Sequence, residues 1–83
     1  MLAKGADYMK TVNIVLAENI LKYRKISGFS QRELAQKLGV TFQAVSKWET
    51  ARSAPDIASL PIMAEIFECS IDELFSYVPT NNR

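Results

Sequence analysis

Apolar residues recur along the first part of the chain at intervals of three and four residues, the spacing that forms one face of a helix. The series comprises Val12, Leu16, Ile20 and Tyr23. Gly28 can take the left-handed conformation that ends a helix, so we predict a first helix over 12–26. Residues 1–10 show no sustained periodicity and are predicted to be a tail.

Two shorter apolar segments follow, and each is preceded by a residue that can cap a helix. Ser30 stands three residues before Glu33, which is the spacing of a capping box, and Gly39 marks the end of this segment. These signals predict a second helix over 31–38. After a three-residue turn, they predict a third helix over 42–50.

The last third of the chain contains the signals of two more helices. Asp56 is a candidate cap for the fourth, but Pro61 near its first turn favours a kink or a later start at Ser59. Ser70 and Glu73 form a second capping box before the fifth helix. No segment alternates with a period of two, so the sequence predicts an all-α fold of five helices.

The length of 83 residues allows a single core, because typical domains hold about 100 to 150 residues. We predict one domain over 11–78, between the tail 1–10 and a C-terminal tail over 79–83. With 48% hydrophobic and 23% charged residues, the composition is that of a globular protein and not of a disordered chain.

The side-chain chemistry of the chain is limited. It contains no histidine and one cysteine, Cys69, so a zinc cluster, a disulfide framework and histidine-based acid–base catalysis are excluded. We therefore predict that the protein is not an enzyme and uses no metal and no cofactor. The longest apolar run, residues 14–17, is far shorter than the roughly 20 residues that cross a bilayer. We expect no membrane association and a cytoplasmic location.

The net charge of +1 conceals an uneven distribution of charge. Residues 1–52 carry nine lysines and arginines against four acids, whereas residues 53–83 carry one arginine against five acids. Such asymmetry can place a basic face on a nearly neutral protein, and a basic face is expected of a nucleic-acid-binding domain. Lysines on helices are also often simply solvated, so charge alone does not decide the function.

Residues 31–50 have the order of a helix, a three-residue turn and a second helix, which can place the second helix in the major groove of DNA. Ala35 is small enough for a close crossing of the two helices, and Gly39 suits the left-handed turn. Val45 and Trp48 stand three residues apart and can anchor the second helix together. This order fits a DNA-binding motif, and it can also arise by chance in a helical protein.

These residues resemble a known family, the helix-turn-helix domains of the phage repressor/Cro type, also called the xenobiotic-response-element family of bacterial transcription regulators. The resemblance covers residues 20–75 and is carried by the specific blocks SQRELAQKLGVT and AVSKWE. It implies a five-helix, repressor-like domain that is usually dimeric and has no catalytic activity. The implied function is that of a bacterial or phage transcription regulator, and specifically a repressor, which binds double-stranded DNA at a palindromic operator.

The family pattern implies that four residues of the third helix contact base edges. They are Phe42, Gln43, Ser46 and Lys47. Helical spacing agrees for the last three, which share one face opposite Val45 and Trp48. Glutamine can bond adenine, lysine can reach guanine, and a phenylalanine ring can meet a thymine methyl group. Each side chain can instead be simply solvated, and Phe42 can be partly buried against the second helix.

The resemblance also implies a set of contacts to DNA phosphates. They are Gln31, Thr41, Thr50, Arg52 and Ser53. Gln31 opens the second helix, where backbone N–H groups and the helix dipole favour an anion. Arg52 is the strongest candidate by charge, although it can instead cap the carbonyl groups at the end of the third helix.

Other residues are predicted to be structural. The resemblance implies that Arg24 and Glu49 form a partly buried ion pair between the first and third helices. Cys69 is expected to act as a small apolar residue in the core. Ala51 and Glu68 stand where the family often has glycine after a helix, and a left-handed conformation is unfavourable at both by roughly 1 kcal/mol. The exit of the third helix can therefore differ from the common geometry.

A protein-interaction module, such as an antitoxin or an adaptor, is the alternative function on the same scaffold. The apolar residues Ile14, Val15 and Leu21 of the first helix support it. A groove-binding protein requires the predicted DNA contacts on one positive surface, whereas an adaptor would expose its largest apolar patch there.

A homodimer is expected, because one short helix in a groove buries too little surface for a selective site. The favoured surface is the fifth helix and its exit, which hold five large apolar residues within eight positions. They are Ile71, Leu74, Phe75, Tyr77 and Val78. The outer stripe of the first helix, Ile14 and Leu21, is the second candidate, and a monomer that pairs only on DNA is the third.

Overall fold

The computed structural model describes the backbone of residues 5–76 and the side chains of residues 11–76. Five helices follow one another along this part of the chain. They are α1 (Gly5–Ser27), α2 (Gln31–Leu38), α3 (Phe42–Glu49), α4 (Ser59–Phe67) and α5 (Ile71–Leu74). No strand occurs among these residues, so the predicted all-α, five-helix fold is confirmed.

The first helix begins at Gly5, seven residues before the predicted start. Residues 5–10, assigned to the N-terminal tail, therefore belong to α1, and that assignment was wrong. The prediction required an apolar face, but a helix that packs in its later turns can propagate beyond the core as long as no residue breaks its hydrogen bonds. The predicted tail 79–83 lies outside the described residues. None of the helices in the described part is long and apolar enough to cross a bilayer.

The inner face of α1 also differs from the predicted one. Val12, assigned to the buried series, is 40% exposed, whereas Val15, assigned to the open apolar surface, is only 8% exposed. Val12 and Val15 therefore exchange the places that the sequence predicted for them on α1.

All five helices contribute to one core. Its buried members are Leu16, Ile20, Leu34, Ala35, Val45, Trp48, Met63, Ala64, Phe67 and Leu74. The burial of the two α3 anchors and of the small crossing residue on α2 confirms these predictions. Cys69 packs against this core, and burial together with the nearby Glu73 carboxylate raises the pKa of its thiol.

Both predicted capping boxes are present. The Ser30 Oγ accepts from the Glu33 N–H at 3.0 Å, and the Glu33 carboxylate accepts from the Ser30 N–H at 2.8 Å. Ser70 and Glu73 repeat these two bonds at the start of α5, again at 3.0 and 2.8 Å. Each box satisfies N–H groups that have no partner within the helix.

The fourth helix starts at Ser59, the later of the two predicted positions, and the prediction of Asp56 as its N-cap was wrong. The Asp56 carboxylate accepts from the Ser59 hydroxyl at 2.7 Å instead of from a backbone N–H. Pro61 is the third residue of the helix, where an N–H would have no partner within the helix. The proline therefore removes no hydrogen bond from α4.

The short α5 is tied to α1 by a buried asparagine that was not predicted to matter. The Asn19 Nδ2 donates to the carbonyl oxygens of Leu74 at 2.8 Å and Ser76 at 2.9 Å. The carbonyl oxygen of Glu73 lies at 3.4 Å from the same nitrogen. Carbonyl groups at the end of a helix lack partners within it, so this amide holds the end of α5.

Among residues 5–76, two residues other than glycine adopt the left-handed conformation, Ala51 with φ 61° and Glu68 with φ 58°. They close α3 and α4 with the backbone turn that glycine most easily provides. The exit of α3 thus takes this turn in spite of its alanine, at a conformational cost of roughly 1 kcal/mol.

Replacing Ala51 by glycine is expected to raise the free energy of unfolding by about 0.5 kcal/mol. Relief of the left-handed strain slightly outweighs the greater freedom of the unfolded chain. Urea unfolding followed by the fluorescence of Trp48 measures the change, because this buried residue is the chain's one tryptophan. Ala54→Gly is the control, since Ala54 lies in an exposed loop and is not left-handed. An equal response to both substitutions would contradict the strain at Ala51.

Candidate nucleic-acid interface

A short turn fixes the angle between α2 and α3. Gly39 takes the left-handed conformation, with φ 74°, and its N–H donates to carbonyl groups in the last turn of α2. Thr41 then caps α3, where its Oγ1 accepts from the Ala44 N–H at 3.2 Å. Because the threonine oxygen acts as an acceptor, its hydroxyl proton remains available for a phosphate oxygen.

Helix α3 has an inner and an outer face. Val45 and Trp48 are buried in the core, while Gln43 and Lys47 are exposed on the opposite side. Ser46 is half-buried between the two faces. The predicted orientation of α3 is thus confirmed, and the contacts of these side chains with bases remain predictions.

Phe42, the first residue of α3, is half-buried and packs against the core. The guanidinium carbon of Arg32 lies 4.0 Å from the centre of its ring. Partial burial, the structural alternative for Phe42, is therefore observed, and Arg32 covers part of the ring. No pattern in the sequence predicts this contact between Arg32 and Phe42.

A buried ion pair joins α1 to the end of α3, as the resemblance implied. The Arg24 Nε and Nη2 both donate to the Glu49 carboxylate, with 3.1 Å between Nη2 and Oε1. The side chains of Arg24 and Glu49 are only 12% and 4% exposed. The Gln31 Nε2 donates to the same carboxylate at 2.9 Å, so one proton of this amide is used in a hydrogen bond within the protein. The other amide proton is left for the predicted phosphate contact.

The exit of α3 folds back onto its last turn. The Thr50 hydroxyl donates to the carbonyl oxygens of Ser46 and Lys47, at 3.0 and 3.2 Å, so its proton is engaged within the helix end. The backbone N–H groups of Arg52 and Ser53 also reach the Lys47 carbonyl, at 2.9 and 3.4 Å. It is therefore the Arg52 backbone, and not its side chain, that caps α3. Within the described residues, the exposed Arg52 guanidinium has no hydrogen-bond or ion-pair partner.

The surface of residues 30–53 is positive and contains little exposed apolar area. Its exposed cations are Arg32, Lys37, Lys47 and Arg52. Glu33 is the exposed acid of this segment and is engaged in a capping box, while the Glu49 charge is paired internally. The exposed large hydrophobic residues of the described chain all lie elsewhere: Val12, Ile14, Ile26, Ile57, Ile62, Ile71 and Phe75.

The chain is similar to several proteins of known class. It is 36% identical over 59 residues to the HTH-type transcriptional activator BcrR of Enterococcus faecalis. The aligned segment covers 71% of this chain and 29% of BcrR. It is 34% identical over 62 residues to the HTH-type transcriptional regulator DicA of Escherichia coli (strain K12). This aligned segment covers 75% of this chain and 46% of DicA. The chain thus spans less than half of either relative. No solved structure gives a significant match.

The profile of the Helix-turn-helix family matches residues 20–74, which include all of α2 to α5 and the end of α1. The match contains the turn, the buried anchors and the exposed face of α3 described above. The chain therefore belongs to the Cro/C1-type helix-turn-helix family of transcriptional regulators, a membership that implies binding to DNA.

Proposed function

We propose that the protein binds double-stranded DNA sequence-specifically as a transcription regulator, with α3 in the major groove and α2 across the backbone. It acts as a repressor where its operator overlaps a promoter. The observation that carries this proposal is the surface of residues 30–53, which has four exposed cations and none of the exposed large hydrophobic residues of the described chain. An adaptor would expose its largest apolar patch on this surface, so the distribution favours DNA over a protein partner.

The proposed base contacts are Phe42, Gln43, Ser46 and Lys47, and the proposed phosphate contacts are Gln31, Thr41, Thr50, Arg52 and Ser53. Gln43 and Lys47 have the best support, because both are exposed on the outer face of α3. Among the phosphate contacts, the Arg52 guanidinium has no partner within the described residues, whereas the Thr50 hydroxyl would have to give up its bonds to α3 before it could donate. We therefore rank Arg52 first and Thr50 last.

Selection of bound fragments from random DNA tests the proposal directly. We expect a palindromic consensus with half-sites about one helical turn apart, because a symmetric dimer presents two recognition helices at that spacing. Recovery of fragments without any shared sequence would contradict sequence-specific binding.

Gln43→Ala and Lys47→Ala are each expected to reduce discrimination by about 1–3 kcal/mol at one base pair of each half-site. Both residues are exposed, so the free energy of unfolding should change by no more than about 0.5 kcal/mol. Binding measurements on a panel of single-base variants of the selected site give the result. Lys25→Ala removes an exposed lysine from α1 and should leave base preference unchanged. If both α3 variants kept the base preference of the wild-type protein, the outer face of α3 would not be the surface that reads the DNA sequence.

We further propose a homodimer that uses the surface of α5. Ile71 and Phe75 stand one helical turn apart and are 41% and 38% exposed. Leu74, included in the predicted surface, is fully buried in the monomer core and is removed from the proposal. Tyr77 and Val78 lie outside the described residues.

Ile71→Asp is expected to shift the protein from dimer to monomer in sedimentation experiments without DNA. An acidic residue is tolerated in the first turn of a helix, so the substitution should disturb the contact more than the fold. The matched control is Ile14→Asp on α1, where the isoleucine is 44% exposed. If Ile14→Asp dissociates the dimer and Ile71→Asp does not, the interface lies on α1. If the wild-type protein is a monomer at high concentration, there is no preformed dimer.

A further inference from the structure

Arg32 and Phe42 connect the two helices of the DNA-binding motif outside the core. Arg32 is the second residue of α2 and Phe42 is the first residue of α3, and the guanidinium carbon lies 4.0 Å from the ring centre. The ring is held by its packing against the core, while Arg32 remains exposed. A guanidinium at this distance over an aromatic face is held by a cation–π interaction, so the ring restricts where the arginine points.

The hydrogen-bonding groups of Arg32 are not used within the described residues. The neighbouring acid, Glu33, directs its carboxylate to the Ser30 N–H and forms no ion pair with it. A stacked guanidinium keeps its N–H donors at the edge of its plane, where they match two oxygens of a phosphate. Arg32 therefore presents a preoriented anion-binding group at the outer surface of the motif.

The position of Arg32 favours a contact with a DNA phosphate and not with a base edge. The first helix of a helix-turn-helix crosses the DNA backbone, and Arg32 stands in the first turn of that helix. We infer that Arg32 binds a phosphate of the DNA backbone, and that Phe42 contributes to DNA binding mainly as the platform that positions Arg32. This inference rests on the proposed function and deepens it: Arg32 joins the phosphate contacts, and Phe42 becomes a positioning residue and not a reader of thymine.

Affinity measurements at several salt concentrations, on the duplex recovered by selection, test the inference. Arg32→Gln is expected to weaken binding about tenfold per protomer at 0.1 M salt, and to reduce the slope of log K against log salt by about 1 per protomer. Phe42→Leu, which keeps an apolar side chain but removes the ring, should weaken binding in the wild-type background and add little in the Arg32→Gln background. Phe42→Tyr keeps the ring and should restore wild-type affinity.

Lys22→Gln provides the matched control for the loss of one positive charge. Lys22 is an exposed cation that also lies over an aromatic ring, with its Nζ 5.1 Å from the centre of the Tyr23 ring, but it stands on α1, outside the surface of residues 30–53. Its substitution should leave the salt slope unchanged.

Each possible outcome decides the inference. Equal effects of Arg32→Gln and Lys22→Gln would overturn it while wild-type DNA binding remained intact. A change of base preference caused by Phe42→Leu in both backgrounds would show that Phe42 reads a base itself. Absence of specific binding by the wild-type protein would overturn the proposed function together with this inference.

Discussion

Replacing Glu49 by alanine is expected to lower the free energy of unfolding by about 3–5 kcal/mol, because the Arg24 guanidinium would be left buried without its partner. The same substitution removes the acceptor of the Gln31 amide. A domain of this size is stabilised by roughly 4–12 kcal/mol in total, so a large share of its stability depends on one carboxylate. Urea unfolding followed by Trp48 fluorescence measures the loss.

Two further variants separate the ion pair from a general effect of losing an acid. Glu65→Ala removes an exposed glutamate from α4 and should change the free energy of unfolding by no more than about 0.5 kcal/mol. The double variant Arg24→Met with Glu49→Leu removes both charges and should be more stable than Glu49→Ala, since neither charge is then stranded. A loss below about 1 kcal/mol in Glu49→Ala would contradict the buried pair.

The affinity for DNA is expected to fall about a thousandfold as monovalent salt rises from 50 to 200 mM. Each protomer offers three exposed cations on or beside α3, namely Arg32, Lys47 and Arg52. Each of these cations displaces about one counterion from the DNA, whether its head group contacts a phosphate or a base edge. The six cations of a dimer therefore give a slope near −5 for log K against log salt. Titration of a labelled duplex at four or more salt concentrations gives the slope.

Single substitutions measure how much each residue contributes to this slope. Arg52→Ala should reduce it by about 1 per protomer and weaken binding to all sequences alike, because a phosphate contact carries no base information. Lys25→Ala, on α1, should leave it unchanged. A wild-type slope near zero would be incompatible with DNA binding by this surface.

Most of the fold could be predicted from local signals. The bounds of α2 and the start of α3 agree with the prediction because Ser30, Gly39 and Thr41 act on their immediate neighbours in the chain. The early start of α1 could not be read from the apolar pattern, since that pattern reports packing and not hydrogen bonding along a helix. The start of α4 was ambiguous because Asp56 is a capping residue type while Pro61 favours a later start at Ser59. In the structure the Asp56 carboxylate bonds to the Ser59 hydroxyl and caps no backbone N–H.

The candidate site was predictable only in part. Helical periodicity suffices to place Gln43 and Lys47 outside and Val45 inside, because these orientations follow from the 3.6-residue repeat. The partners of Gln31 and Phe42 could not be derived in this way. Gln31 contacts Glu49, which lies 18 positions away in the sequence. The Phe42 ring contacts Arg32, which lies on the other side of the turn. Both contacts depend on how the helices pack.

The hydrogen bonds of Asn19 imply that the segment matched by the family profile is smaller than the unit that packs around the core. The family match begins at residue 20, one position after the amide that holds the carbonyl groups at the end of α5. A fragment trimmed to that border would also lose Leu16 from the core. The family profile and the packed core thus set different N-terminal limits for this domain, and the earlier limit includes a buried side chain that reaches across 55 positions of sequence to Leu74.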